Sequence, residues 1–202
     1  MARRRSRRKH GGIRAILWVI LIAVGVWLYP YVQDALAPAL PYTPVDGEMS
    51  GHVVDVGQAD AILLMTPDGN MLIDAGTNAS EDELAAYLGL YDVESFEYVV
   101  FTHPHSDHIG GADMIMRNYA VKNVILPDAV NDSLVYTNML SAIEESDAQV
   151  IAAESGAYYN IGDMSFRLLA PNSESSSNLN DTSVVLRATY GAVSMMFTGD
   201  AE

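Results

Sequence analysis

From Met49 to Glu202 the chain is written as short apolar runs separated by turn residues, and each run predicts an element. "SGHVVDVG" and "AILLMT" predict strands, "PDGN" a hairpin turn and "MLIDAG" a third strand, together an antiparallel meander. In "SEDELAAYLGL", Ser80 and Glu83 stand at capping-box spacing, which predicts a helix to about Leu90. "FEYVVFT" is a further strand whose run Tyr98 to Phe101 suits a buried position in a sheet, and "GGADMIMRNY" reads as a helix. "VKNVILP" gives a strand and Ser133 to about Ala148 a helix. "AQVIAA", "MSFRLLA", "SVVLRATY" and "VSMMFTGD" give more strands. The polar stretch "PNSESSSNLND" is a loop long enough to suggest a role beyond connection. Strands alternating with helices behind an initial hairpin point to a layered α/β fold, without internal repeats.

The opposite pattern heads the chain. "MARRRSRRKHGGIR" precedes Ala15 to Tyr29, fifteen residues without a charge. As a helix they rise roughly 22 Å against a hydrocarbon core of ~30 Å. Tyr31 and Val32 extend the run, and Trp18, Trp27 and Tyr29 suit the membrane interfaces. The pattern predicts a basic cytoplasmic tail (1–14), a transmembrane anchor (15–32), a Pro-rich linker (33–48) and a folded domain (49–202). Clustered arginines stay cytoplasmic, so the domain is expected outside the cytoplasm, on a single-pass protein of a bacterial cell membrane. Two alternatives stand beside the anchor. One is a nucleic-acid-binding arm; the other is a signal peptide cleaved near "ALA" at 35–37, which Pro38 disfavours.

Charge sharpens the contrast. Seven of the eleven Lys and Arg lie at or before Arg14, and the four that remain face 26 acidic residues, leaving the rest of the chain at −22. Such a body repels nucleic acid unless metals or local patches intervene. With no cysteine anywhere, disulfides and thiolate metal sites are excluded, and a metal would be held by imidazole and carboxylate.

Those ligand types are concentrated in "FTHPHSDHIGG", where three of the five histidines fall within six positions at the end of an apolar strand. The ends of buried strands are where layered α/β proteins keep their sites. On an extended segment His103 and His105 point the same way, and a turn after Ser106 can bring Asp107 and His108 to an adjacent point. The segment therefore offers two centres. Paired imidazoles suit zinc, and an imidazole with a carboxylate suits zinc, manganese or iron; Gly110 and Gly111 let the chain turn closely around the ions.

H-x-H-x-D-H after an apolar strand resembles the signature of the metallo-β-lactamase superfamily. "HVVDVGQADAILLMTPDGNMLIDAG", "FTHPHSDHIGG" and "NLNDTSVVLRATYGAVSMMFTGD" are similar to the metallohydrolase domain of the ComEC family of bacterial DNA-uptake channels. The resemblance spans about Met49 to Glu202. It implies an αββα sandwich behind the membrane helix, its second half incomplete. His103 and His105 would hold a first divalent metal, Asp107 and His108 a second while serving as the catalytic pair, and Asp200 would bridge both. Asp74 of "LIDAG" would orient the cluster without binding metal. Alone, Asp74 and Asp200 read as strand-end turn carboxylates. Asp55 and Asp60 in "DVGQAD" read as loop-shaping residues and His52 as a strand residue. No histidine follows His108, where relatives commonly supply another ligand; Asn180 or Asp181 of "NDTS" would replace it, unless the segment is a simple turn. Relatives continue past "GD" to a last metal-binding histidine, so the chain is expected to be C-terminally truncated.

The implied activity is hydrolysis of a phosphodiester or related anionic ester by a metal-bridging hydroxide on two divalent ions, zinc first. "GxSxG" is absent, and no thiol is available. The acidic body disfavours nucleic acid as substrate without excluding it, and the residues name no protein partner. The competing class is a non-catalytic or degraded domain serving at most as a binding module.

Overall fold

An apolar run buried on both faces belongs inside a sheet. Val99 faces a layer of helices and Val100 a second sheet, and neither retains exposed surface. The computed structural model describes residues 18–20, 22–29, 47–171 and 178–202. The chain divides into two compact units, Met1–Thr43 and Pro44–Glu202.

In the second unit β1 (Ser50–Val53), β2 (Ile62–Thr66), β3 (Gly69–Ile73), β4 (Ser95–Val100), β5 (Ala120–Leu126) and β6 (Gln149–Ala152) lie side by side in sequence order. The first three pair antiparallel and β3 to β6 pair parallel. Parallel neighbours need crossovers, supplied by α1 (Glu81–Leu90), by α2 (Ser106–Ile109) with α3 (Ala112–Asn118), and by α4 (Leu134–Glu144). β7 (Tyr158–Ile161), β8 (Met164–Ala170), β9 (Val185–Tyr190) and β10 (Val193–Phe197) form an antiparallel second sheet.

Two cores follow from the alternation of side chains along the strands. Leu72, Val99 and Val124 meet Leu84, Leu88, Ile115 and Met139 of the helices. Met71, Ile73, Val100 and Ile125 meet Met164, Phe166, Leu168 and Leu186 of the second sheet, while Arg167 and Arg187 alternate outward. The layers are helix, sheet, sheet. Among the described residues no α-helix follows α4, so of the expected αββα sandwich three layers are seen.

The hairpin at "PDGN" forms as expected, with Thr66 opposite Gly69. The capping box does not. Ser80 makes no side-chain cap to α1; its Oγ accepts instead from the Thr77 backbone N–H (3.0 Å), closing a 3-10 turn at Asn78–Ser80 that leads into the helix. The pattern also extended the helix after Ser133 too far. Ser133 does cap α4, accepting from Tyr136 N, but the helix stops at Glu144. Strand β7 has four residues, too few for the alternation of "YYNI" to announce it.

Of the anchor expected over 15–32, residues 18–20 and 22–29 are helical and exposed. Residues 15–17, 21 and 30–32 lie outside the described residues, as do the basic tail 1–14, linker residues 33–46 and loop residues 172–177. Among the described residues no helix is long and apolar enough to cross a membrane.

Candidate metal centre

The site is assembled where β3 and β4 end. After Ile73 the backbone turns through Asp74, whose φ of 58° is one that aspartate tolerates better than most residues. Its amide donates to Val100 O (2.9 Å), and its carboxylate is buried against the end of the neighbouring strand. Thr102 meets that carboxylate twice, through its backbone N–H to Oδ1 (2.7 Å) and its hydroxyl to Oδ2 (2.6 Å). His108 Nδ1 lies 2.8 Å from the same Oδ2. A carboxylate accepts only, so the imidazole proton sits on Nδ1 and the Nε2 lone pair is left for another partner.

His108 reaches this place because α2 begins at once. The chain bends at His103 and Pro104, His105 is extended (φ −83°, ψ 149°), and His105 O accepts the amides of His108 and Ile109, both at 3.0 Å. Two backbone bonds lock the short helix to the turn after β3: Ala75 N to His108 O (2.7 Å) and Gly110 N to Gly76 O (2.8 Å). Gly110 and Gly111 are there for space. At Gly110 a Cβ would fall 2.4 Å from Thr77 and Asn78 backbone atoms, and at Gly111 2.6 Å from Ala75 O, so these glycines admit neighbouring backbone, not an ion.

His103 Nε2 and His105 Nδ1 are 2.8 Å apart, and the rings of His103 and His108 lie 4.1 Å centre to centre. Asp200 arrives from the second sheet, its Oδ1 3.4 Å from His108 Nε2. Gly199 before it has a φ of 49° and packs so closely that a Cβ would lie 2.9 Å from the Thr102 side chain. His103, His108 and Asp200 thus bring one donor atom each within 4.8 Å of one another.

Burial pushes the His103 imidazole down to about 4, helped by His108 and His105 and opposed by Asp200 and Asp107. It is neutral at pH 7, with a lone pair to offer. Burial alone would also depress His108, but the hydrogen bond and charge of Asp74, with Asp200 and Asp107, outweigh it and hold this imidazole above its ordinary value. For Asp74 burial dominates and raises the carboxyl, against His108 and Thr102.

Of the residues named from sequence, His103, His108, Asp74 and Asp200 converge, and His105 touches His103. Asp107, in the first turn of α2, acts on both buried imidazoles through its charge but is not within the close-set donors. Asp181 is exposed on the 3-10 turn Leu179–Thr182 and is not among the donors within 4.8 Å of one another. Its neighbour Asn180 donates to Glu202 (3.2 Å), and its Oδ1 is buried without a hydrogen-bond partner. His52 is a strand residue, bonded to Ser50 and Tyr87. Asp55 shapes its loop by accepting from Gly57 N (3.3 Å). Asp60 does not stop at loop shaping: it lies with Asp74 and His108 in a second set of donors within 4.8 Å. Nothing local in "DVGQAD" signals this, because the partners are distant in sequence.

A family model described as "Metallo-beta-lactamase superfamily" matches residues 54–135, which include the meander, the Asp74 turn and all three clustered histidines. Over that stretch the chain matches a metallo-beta-lactamase superfamily domain. Among relatives, it is 26% identical over 179 residues to ComE operon protein 3 of Bacillus subtilis, covering 80% of this chain and 23% of that protein. It is 24% identical over 188 residues to Competence protein ComA of Neisseria gonorrhoeae, covering 91% and 25%. The chain therefore spans a quarter or less of these relatives' length. A solved metallo-beta-lactamase of Cronobacter sakazakii superposes with a TM-score of 0.56 at 18% identity, over 83% of this chain and 62% of that one. For a metallo-beta-lactamase superfamily domain the donor set fits: clustered imidazole and carboxylate without thiolate suit zinc, manganese or iron.

Proposed function

We propose that the chain is a membrane-anchored, dinuclear metal-dependent hydrolase of phosphodiester or related ester bonds. The observation that carries this reading is the convergence of His103, His108 and Asp200 donors within 4.8 Å over the buried Asp74 carboxylate. Bound divalent cations would supply Lewis acidity there, lowering the pKa of water and polarising an ester oxygen.

The chain's own residues do the rest. Asp74 fixes the proton on His108 Nδ1 and so aims Nε2 at the cluster. Thr102 holds Asp74 in turn, which keeps the ligand rigid without occupying it. The Asp200 side chain is 42% exposed whereas His108 and Asp74 are almost fully buried, so a substrate approaches from the Asp200 side. The surroundings are acidic, and the body's few cations are partly engaged already: Arg117 with Asp113 and Lys122 with Glu97. An anionic substrate is thus attracted only through bound metal. The resemblance to the metallohydrolase domain of bacterial DNA-uptake channels brings the phosphodiester of DNA into the substrate class; the shortage of Lys and Arg favours a small or envelope-borne diester.

One assay tests activity and tether together. In fractions of cells expressing the full chain, turnover of bis-p-nitrophenyl phosphate should sediment with membranes and survive a carbonate wash. His105→Ala should lower it by about a hundredfold or more, as expected when a metal ligand is lost. Activity in the soluble fraction would reject the tether, and undiminished turnover in His105→Ala would reject the site.

A further inference from the structure

The loop between β5 and α4 is tied to the histidine cluster. Asn131 Nδ2 donates to Pro104 O (2.7 Å) and Asn131 Oδ1 accepts from Ser133 N (2.9 Å), which holds residues 127–133 beside the bend that carries His103. The loop borders a cavity with about 20 Å³ open, walled by Phe101, Ile109, Leu126 and Met139, by Pro127 of the loop itself, and by the His103 imidazole. His103 is thus shared, a donor of the proposed centre and a wall of this cavity.

The cavity is apolar in character. The Tyr136 hydroxyl at its border donates to Ala129 O (3.0 Å), and the His103 nitrogens face His105 Nδ1 (2.8 Å) and Thr102 Oγ1 (3.2 Å). A buried water needs about two to four polar partners, and the polar side chains here are already engaged, so the space suits a methyl or methylene group. The loop carries the same character to the surface. Val130 and Leu134 are 77% and 74% exposed, the most exposed large apolar side chains of the described body after Val53. Charge does not account for this loop, since Asp128 and Asp132 are exposed on it and repel an anion. What it offers a ligand is apolar surface; a single exposed valine or leucine elsewhere would mean little, but these two continue a cavity that reaches the donor set.

We infer that the substrate is an amphiphilic ester, its anionic group at the metal centre and an apolar substituent packed into the cavity beside His103 and against Val130 and Leu134. The inference rests on the hydrolase reading above and narrows it, from phosphodiesters in general to those that bear an aliphatic group. Apolar contact then supplies affinity that so acidic a body cannot draw from lysine and arginine.

Two measurements on the full chain in detergent, equilibrated with zinc, test this. In hydrolysis of methyl and butyl p-nitrophenyl phosphate, kcat/KM should favour the butyl ester by about tenfold, the gain carried by KM, as partial burial of the added methylenes gives. In calorimetric titration, butylphosphonate should bind more tightly than methylphosphonate by a similar factor, a readout that needs no turnover. The double variant Val130→Ser/Leu134→Gln should bring both ratios to within about twofold of one; its two sites are exposed, so its circular dichroism should match the unaltered chain, and any partition of butyl groups into micelles is the same for both proteins. Equal constants for methyl and butyl compounds in the unaltered chain, or a preference that survives in the double variant, would overturn the inference and leave the hydrolase reading standing. A butylphosphonate preference lost in the double variant, with neither ester turned over, would uphold the apolar site and overturn the hydrolase reading. Neither binding nor turnover would overturn both.

Discussion

Replacing Asp74 by alanine should remove about 3 to 5 kcal/mol of stability from the body of the protein, the usual consequence of taking one partner from a buried charged pair. Three donors converge on this carboxylate at 2.6–2.8 Å. Alanine would leave the buried Thr102 amide without a partner, and the Thr102 hydroxyl and His108 Nδ1 with only long contacts, the hydroxyl 3.4 Å from His108 Nδ1 and 3.2 Å from His103 Nδ1. It would also place an ordinary side chain at a φ of 58°. Against a typical domain stability of about 5–15 kcal/mol, the loss is a large fraction of the whole. Asp74→Asn keeps an acceptor for the Thr102 amide and tolerates the backbone, so it should lose less. Both tryptophans lie at 18 and 27, ahead of the body, so urea unfolding is best followed by the near-ultraviolet circular dichroism of its tyrosines. Chelator should not abolish the difference, because the bonds to Asp74 require no metal. Equal midpoints for Asp74→Ala and the unaltered chain would show that this network contributes no stability.

Gly110→Ala should be nearly as damaging, for a different reason. The backbone at Gly110 is ordinary, with a φ of −56°, so alanine suits the conformation. The difficulty is steric: its Cβ would stand 2.4 Å from Thr77 Cα, Thr77 C and Asn78 N. These are backbone atoms, and no rotamer change relieves the contact. To make room α2 must move off the turn after β3, stretching the Ala75–His108 and Gly110–Gly76 bonds and carrying His108 away from Asp74 and Asp200. Overpacking of this kind costs on the order of 3 kcal/mol, and metal affinity should fall with it. Gly89 in α1 is the control: a Cβ there meets nothing within 4 Å, so Gly89→Ala should be neutral or stabilising by up to about 1 kcal/mol. Parallel melting curves of the two variants check the contrast, and similar behaviour would contradict it.

What was legible in the sequence was what depends on neighbours along the chain. Runs such as "YVVF" and "VILP" announce strands buried on both faces because burial leaves no polar alternation to read, and "HPHSDH" announces its chemistry because its ligands fall within six positions. What escaped depends on residues far apart. Ser80 has the spacing to cap α1, but Thr77 competes for its hydroxyl and wins through the preceding 3-10 turn. Asp60 looks like a loop carboxylate until backbone hydrogen bonds to Asp107 and Gly76 bring it to the cluster. The glycines after His108 were visible, but the reason for them, close approach of the 75–78 backbone, was not.

The metal content of the purified full chain bears most directly on the proposed centre. After equilibration with zinc and removal of free metal by gel filtration, elemental analysis should find about two ions per chain, and fewer in His103→Ala and His108→Ala. A body that is folded by circular dichroism yet emerges without bound zinc would contradict the centre described here.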